Sequence, residues 1–149
     1  MPTLLLVHHT TSPALQELLE AALAGTRAEG LEDVEVVVRP ALGATVSDVL
    51  AADGFVLGTP ANIGYMSGAL KHFFDGIYYP TLQAKPDAPY GLYVHGNNDT
   101  TGAVRAVESI ASGLGWQRAT TPVEVIGVIT KQHRESLWNL AATVAASLG

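Results

Sequence analysis

The chain alternates short apolar runs with helically spaced stripes. Thr3 to Val7 (TLLLV) is unbroken and apolar, as a strand buried on both faces reads. Ser12-Pro13 follows as a helix N-cap with proline at the first helical position, and Leu15, Leu18, Leu19, Ala22 and Leu23 form the stripe behind it. Val34 to Val38 predicts a second strand and Val46 to Ala52 a short helix. Gly54 to Gly58 (GFVLG) predicts a third buried strand, ended by Thr59-Pro60. Ala69, Leu70, Phe73, Phe74 and Ile77 recur at helical spacing, with Lys71 and Asp75 four apart on the solvent side. Tyr90 to Val94 predicts a fourth strand. A helix through Val104, Val107, Ile110, Ala111 and Leu114 follows, closed by glycines at 113 and 115. Val123 to Val128 predicts a fifth strand, and Gln132 to Leu148 the last helix.

This alternation, without repeat or linker, predicts a three-layer α/β fold: a five-stranded parallel sheet with helices on both faces. Right-handed crossovers favour the strand order 2-1-3-4-5 in one domain spanning residues 1–149. Ligands of such sheets bind outside the carboxyl ends of the strands, near the switch point between the first and third. The polar, glycine-rich loops of this chain fall at those ends.

Composition narrows the chemistry. Nearly half of the 149 residues are hydrophobic and 15% are charged, too apolar for disorder and too interrupted for membrane insertion. The net charge of −6, with eight scattered Lys and Arg, argues against a nucleic-acid partner. Without cysteine there is no disulfide or thiolate chemistry. The five histidines show no metal-ligand spacing, so no metal is expected; His72 and His133 read as solvated helix residues. The opening segment lacks the basic start and long apolar run of a signal peptide, which predicts a cytoplasmic protein. Neither a P-loop nor a dinucleotide fingerprint is present, and Gly64-Tyr65-Met66-Ser67-Gly68 is not a nucleophile elbow.

Three loops remain. The first, His8 to Leu15 (HHTTSPAL), brings three hydroxyls to a helix start with no acid in its first turn, a suitable anion site; without a ligand it is ordinary capping. The second, Thr59 to Ser67, is long for a strand-to-helix connection, and its glycines let backbone approach a flat ligand. The third, His95 to Gly102 (HGNNDTTG), offers amides and hydroxyls suited to a neutral heteroaromatic edge, or equally to a solvated turn. Tyr78-Tyr79-Pro80 and the stretch to Pro89 read as a packed surface loop, a substrate entrance or a dimer contact, which leaves homo-oligomerisation open.

The stretch GTPANIGYMSGALKHFFD, residues 58–75, resembles the third-strand-to-third-helix segment of the flavodoxin-like FMN proteins, especially the NAD(P)H-dependent FMN and quinone reductases. Gly58, Thr59, Pro60, Met66, Ser67, Gly68, Leu70, Lys71, Phe73, Phe74 and Asp75 carry the match. The resemblance implies FMN as cofactor. Its phosphate would lie on His9, Thr10, Thr11, Ser12, Ala14 and Leu15. Its ring would lie against Pro60, Ala61, Asn62, Ile63 and Gly64, and against His95, Gly96, Asn97, Asn98 and Gly102. Two positions depart from flavodoxins: Pro13 replaces the glycine of their Thr-Gly-x-Thr loop and Leu15 its last threonine, removing an amide donor and a hydroxyl. Ile63 stands where electron carriers commonly stack an aromatic ring. An uncovered flavin would meet NAD(P)H and a small acceptor, a quinone or a free flavin, directly, with His95 as a candidate proton donor. The alternatives are a flavodoxin-type carrier serving a redox-protein partner, and a flavin-binding or sequestering protein without turnover.

Overall fold

The first apolar run becomes β1 (Thr3–His8), with Leu4, Leu5, Leu6 and Val7 no more than 1% exposed. The computed structural model describes residues 1–148. β1 is followed by α1 (Pro13–Thr26), β2 (Glu35–Pro40), a 3-10 turn at Ala41–Gly43, and α2 (Val46–Ala51). β3 (Gly54–Asn62), β4 (Tyr65–Met66) and α3 (Gly68–Ile77) come next, then β5 (Pro89–Gly96) and α4 (Thr101–Leu114). The chain closes with β6 (Gln117–Arg118), β7 (Val123–Ile126) and α5 (Lys131–Ala146). The main path of the sheet is β2-β1-β3-β5-β6, parallel throughout, with β7 also on β5 and β4 on β3. Counting β6 and β7 as one interrupted edge strand, this is the expected order and a flavodoxin-like fold.

Alternation along the central strands makes the two faces. Leu4, Leu6, Val56 and Tyr93 pack under α1 and α5, meeting Leu15, Leu18, Leu137 and Leu140. Leu5, Val7, Phe55, Leu57, Leu92 and Val94 face the other way, against Leu70, Phe73 and Phe74 of α3 and Val107 and Leu114 of α4. Trp116, just after α4, stacks on Phe55 with ring centroids 3.9 Å apart. Both faces of the sheet are therefore dry, which is why its central strands carry no polar alternation. Among the described residues no helix is long and apolar enough to cross a membrane.

Two strands differ from their sequence reading. β3 does not stop at Thr59-Pro60 but runs on to Asn62. Gly58 gives its carbonyl to the His9 amide on the β1 side, at 3.0 Å. Strand alternation then turns Thr59 towards β5 and Pro60 back towards β1, which has already ended at His8. Proline is tolerated there because no neighbour waits for its missing N–H. The edge strand splits because Thr120-Thr121-Pro122 interrupts it: β6 pairs with Pro89 and Tyr90, and β7 with Tyr93 to Gly96.

Candidate functional site

The first loop leaves β1 and reverses into α1. His8 and Thr10 share a hydrogen bond of 2.8 Å between Nδ1 and Oγ1. Burial, with the neighbouring His9 adding to it, holds the His8 imidazole below its usual range. Ser12 sits in extended backbone as the N-cap, and its Oγ accepts the Leu15 amide at 3.2 Å while its own proton stays free to donate. Pro13 brings no N–H. The amides of Thr10, Thr11, Ser12 and Ala14 donate to no described residue, and no acid stands in the first turn of α1. Unpaired donors, a free hydroxyl and the positive end of the helix dipole converge there, and together they select an anion. The buried Nδ1 of His9 also lacks a partner.

The second loop is a hairpin rather than an irregular connection. Ala61 pairs with Met66 and Asn62 with Tyr65, leaving Ile63 and Gly64 as a two-residue turn. Their φ values of +50° and +72° are those of a type I′ turn, which suits Gly64 and strains the β-branched Ile63. The Ile63 side chain is wholly exposed at the tip. Thr59 ties the base: its hydroxyl donates to the Pro60 carbonyl at 2.8 Å and accepts the Ser67 amide at 3.0 Å. Ser67 in turn caps α3 through Leu70. A Cβ at Gly102 would overlap the Gly64 carbonyl oxygen, so the absent side chain lets the hairpin rest on the start of α4.

The third loop is clamped to the edge strand. His95 is 9% exposed, and its Nε2–H donates to the Gly127 carbonyl at 2.7 Å. The Gly127 amide returns to the Gly96 carbonyl at 2.9 Å. Asn97 and Asn98 are exposed beyond this clamp. Asp99 accepts from the Thr101 amide and hydroxyl, which holds its carboxyl below the usual range. Thr100 donates to Glu124 at 2.8 Å.

These loops enclose a cleft of about 500 Å³, within the ordinary size range of small-molecule and cofactor sites. Thr11, Ser12, Ala14, Leu15, Pro60, Ala61, Asn62, His95, Gly96 and Asn97 line it, so the three expected segments do converge. His9, Thr10, Ile63, Gly64, Asn98 and Gly102 lie outside the lining, beside it along the chain. Pro13, Gly127 and Val128 line it as well. The sequence predicts a strand through Gly127 and Val128 and so does not mark them as cleft residues. Gly127, breaking a β-branched run at a strand's carboxyl end, was the available signal. No Phe, Tyr or Trp and no carboxylate side chain is in the lining. The Tyr78–Pro89 stretch sits at the other end of the molecule, where Gln83 bonds to the end of α4.

A sequence model of the family described as NADPH-dependent FMN reductase matches residues 9–133. A flavodoxin of Aquifex aeolicus (strain VF5) is 35% identical over 77 residues, covering 52% of this chain and 40% of that protein's length. Among solved structures, the flavodoxin of Streptococcus pneumoniae TIGR4 superposes with a TM-score of 0.82 at 19% identity, over 97% of this chain and 99% of that one. The rubredoxin:oxygen oxidoreductase of Desulfovibrio gigas gives 0.81 at 17% identity, over 98% of this chain but 36% of its own. These structural likenesses speak for the fold.

Proposed function

The chain belongs to the NADPH-dependent FMN reductase family and is an FMN flavoprotein of flavodoxin-like fold, and from that premise we propose that it is an NADPH-driven reductase serving a small electron acceptor. The residues present fit FMN on their own chemistry. Free amides at Thr10, Thr11, Ser12 and Ala14, with the Ser12 hydroxyl, suit a phosphate dianion held without any Lys or Arg. The unpartnered Nδ1 of His9 lies at the head of the same loop. Pro60, Ala61 and Gly96 give a flat, uncharged wall; a Cβ on Gly96 would press to 3.1 Å from the Ala61 Cβ. The Asn62 and Asn97 amides supply donors and acceptors for a heteroaromatic edge. When bound, FMN supplies the hydride and electron transfer; the protein positions it and tunes its surroundings.

The observation that carries the reductase reading is the cleft's aliphatic rim. Ile63 is wholly exposed, Val128 is 84% exposed, and no Phe, Tyr or Trp side chain closes the lining between them. A nicotinamide would therefore find an uncovered face. His95 acts in this scheme as a positioning residue: its Nε2–H is committed to Gly127, and it sets where Val128 stands. A second reading, an electron carrier for a redox protein, draws on the identity to a flavodoxin and on the acidic charge of −6.

Anaerobic mixing of the FMN-loaded protein with NADPH separates the two. The reductase bleaches the flavin absorbance and recovers it when a quinone is added. A flavin left oxidised by both NADPH and NADH sinks the reductase reading and leaves the carrier.

A further inference from the structure

A second cavity, also of about 500 Å³, runs between the outer surfaces of α1 and α5. Its walls are Ala21 of α1 and the Lys131, Arg134, Glu135, Trp138 and Asn139 side of α5. Those α5 positions recur at helical spacing, so one face of the helix forms the floor. Lys131, at the start of α5, stands three residues along the chain from Val128, which lines the cleft.

The charge of this groove is out of character for the protein. Lys131 has a loose exposed contact with Glu135 at 3.8 Å, while Arg134 has no ion-pair partner among the described residues. The first turn of α5 holds Lys131 and Arg134 and no acid, so both cations sit at the helix end that repels them. Trp138 is 40% exposed beside them, a large apolar ring left open to solvent. A further groove of similar size borders Thr101 and Glu124, but there Glu108 is paired with Arg118 at 2.8 Å and Glu124 lines the groove with Arg105, so its cations are matched by acids. A phosphate-bearing ligand leaving the cleft finds matched charges on that side and an unpaired guanidinium on this one.

We infer that the α1–α5 groove holds the adenosine 2′-phosphate end of NADPH, which rests on the reductase reading above. Arg134 and Lys131 hold the phosphate, and the adenine lies on Trp138. A guanidinium matches a phosphate with paired N–H donors, and an indole face stacks any purine. Lys131 to Trp138 spans about 10 Å at 1.5 Å per residue, room along α5 for a phosphate at one end and a purine at the other. Arg134 is then the residue that discriminates NADPH from NADH.

Adenosine 2′,5′-bisphosphate titrated into the FMN-loaded protein tests the groove by calorimetry, without turnover. Saturable binding is expected, weakened about tenfold by Arg134→Gln, the equivalent of ~1.4 kcal/mol, and largely restored by Arg134→Lys. The same titration should quench tryptophan emission, and Trp138→Phe should abolish that signal because the remaining Trp116 is buried. In steady state, Arg134→Gln should raise KM for NADPH about tenfold, against less than twofold for NADH. The proposal is overturned if the bisphosphate binds Arg134→Gln as tightly as the parent, or if the preference for NADPH over NADH does not move. If neither dinucleotide reduces the flavin, the reductase reading falls alone, because the bisphosphate titration still decides the groove.

Discussion

α1 and α5 pack against each other over the same face of the sheet and start at the same end of it, α1 after β1 and α5 after β7. Both are capped by a hydroxyl, Ser12 in one and Thr130 in the other. There the likeness ends. The first turn of α1 carries no charged side chain, and its donors are bare amides facing the cleft. The first turn of α5 carries Lys131 and Arg134, which reach outward into solvent. Backbone donors are fixed and short, so they suit an anion that stays, as a resident cofactor's phosphate does. Long, hydrated cations lose rotamer freedom when they bind and are screened by salt, so they suit a ligand that comes and goes.

Placing the same acid in both first turns would break this comparison most sharply. Ala14→Glu and Gln132→Glu each put a carboxylate where the helix dipole favours it, a gain of about 0.3–1 kcal/mol in the ligand-free chain. Only Ala14 lines the cleft. Ala14→Glu should therefore weaken FMN about a hundredfold, since like-charge juxtaposition costs several kcal/mol, and should leave riboflavin binding within a few-fold. Gln132→Glu should change neither. Fluorescence quenching of the two flavins measures this directly. Equal losses for FMN and riboflavin in Ala14→Glu would place the phosphate away from α1.

The hairpin sharpens the contrast from another side. Neither helix start holds a residue at positive φ, whereas Ile63 does, at +50°. An L-residue there carries a strain of about 1–2 kcal/mol, and Asn bears it better in a type I′ turn. Ile63→Asn should accordingly stabilise the protein by about 1 kcal/mol in urea unfolding. It also removes the aliphatic tip from the rim, so KM for NADPH should rise while unfolding becomes harder. A variant no more stable than the parent would mean the hairpin relaxes its tip without penalty.

What the sequence made legible follows from where each signal lives. Unbroken runs such as Leu4–Val7 and stripes such as Leu15, Leu18 and Ala22 are local, and they placed the strands, helices and order. The three converging loops followed from that order, because a parallel sheet brings its carboxyl ends to one side. Except for the cap at His133, the misses are non-local. Pro60 reads as a breaker unless one knows that β1 has ended beside it. His133 reads as a solvated helix residue, yet its Nδ1 accepts the Thr130 amide at 3.0 Å and completes the α5 cap. Val128 reads as the tail of a strand, and the bonds of Gly127 to His95 and Gly96 carry it to the cleft. The α1–α5 groove needed two helices 110 residues apart to be packed before its cations and Trp138 shared a surface.

The smallest effect belongs to His8, at the root of the α1 loop. The unfolded chain protonates it below about pH 6.5, whereas burial and His9 lower its pKa in the folded protein. Acid therefore favours the unfolded chain at this residue: the stability contributed by neutral His8 is full above about pH 6.5 and is lost as pH falls through the folded value. The His8 side chain is only partly buried, so the dependence is shallow. His8→Asn, which keeps a polar partner for Thr10, should flatten the unfolding midpoint between pH 7 and pH 5 relative to the parent. Because the FMN phosphate itself takes up a proton at about pH 6, FMN should weaken towards pH 5 in both proteins, but less in the parent, where protonated His8 brings a positive charge to the loop. Parallel pH profiles for the two proteins would remove His8 from the loop's electrostatics and leave the amides of α1 as its whole basis.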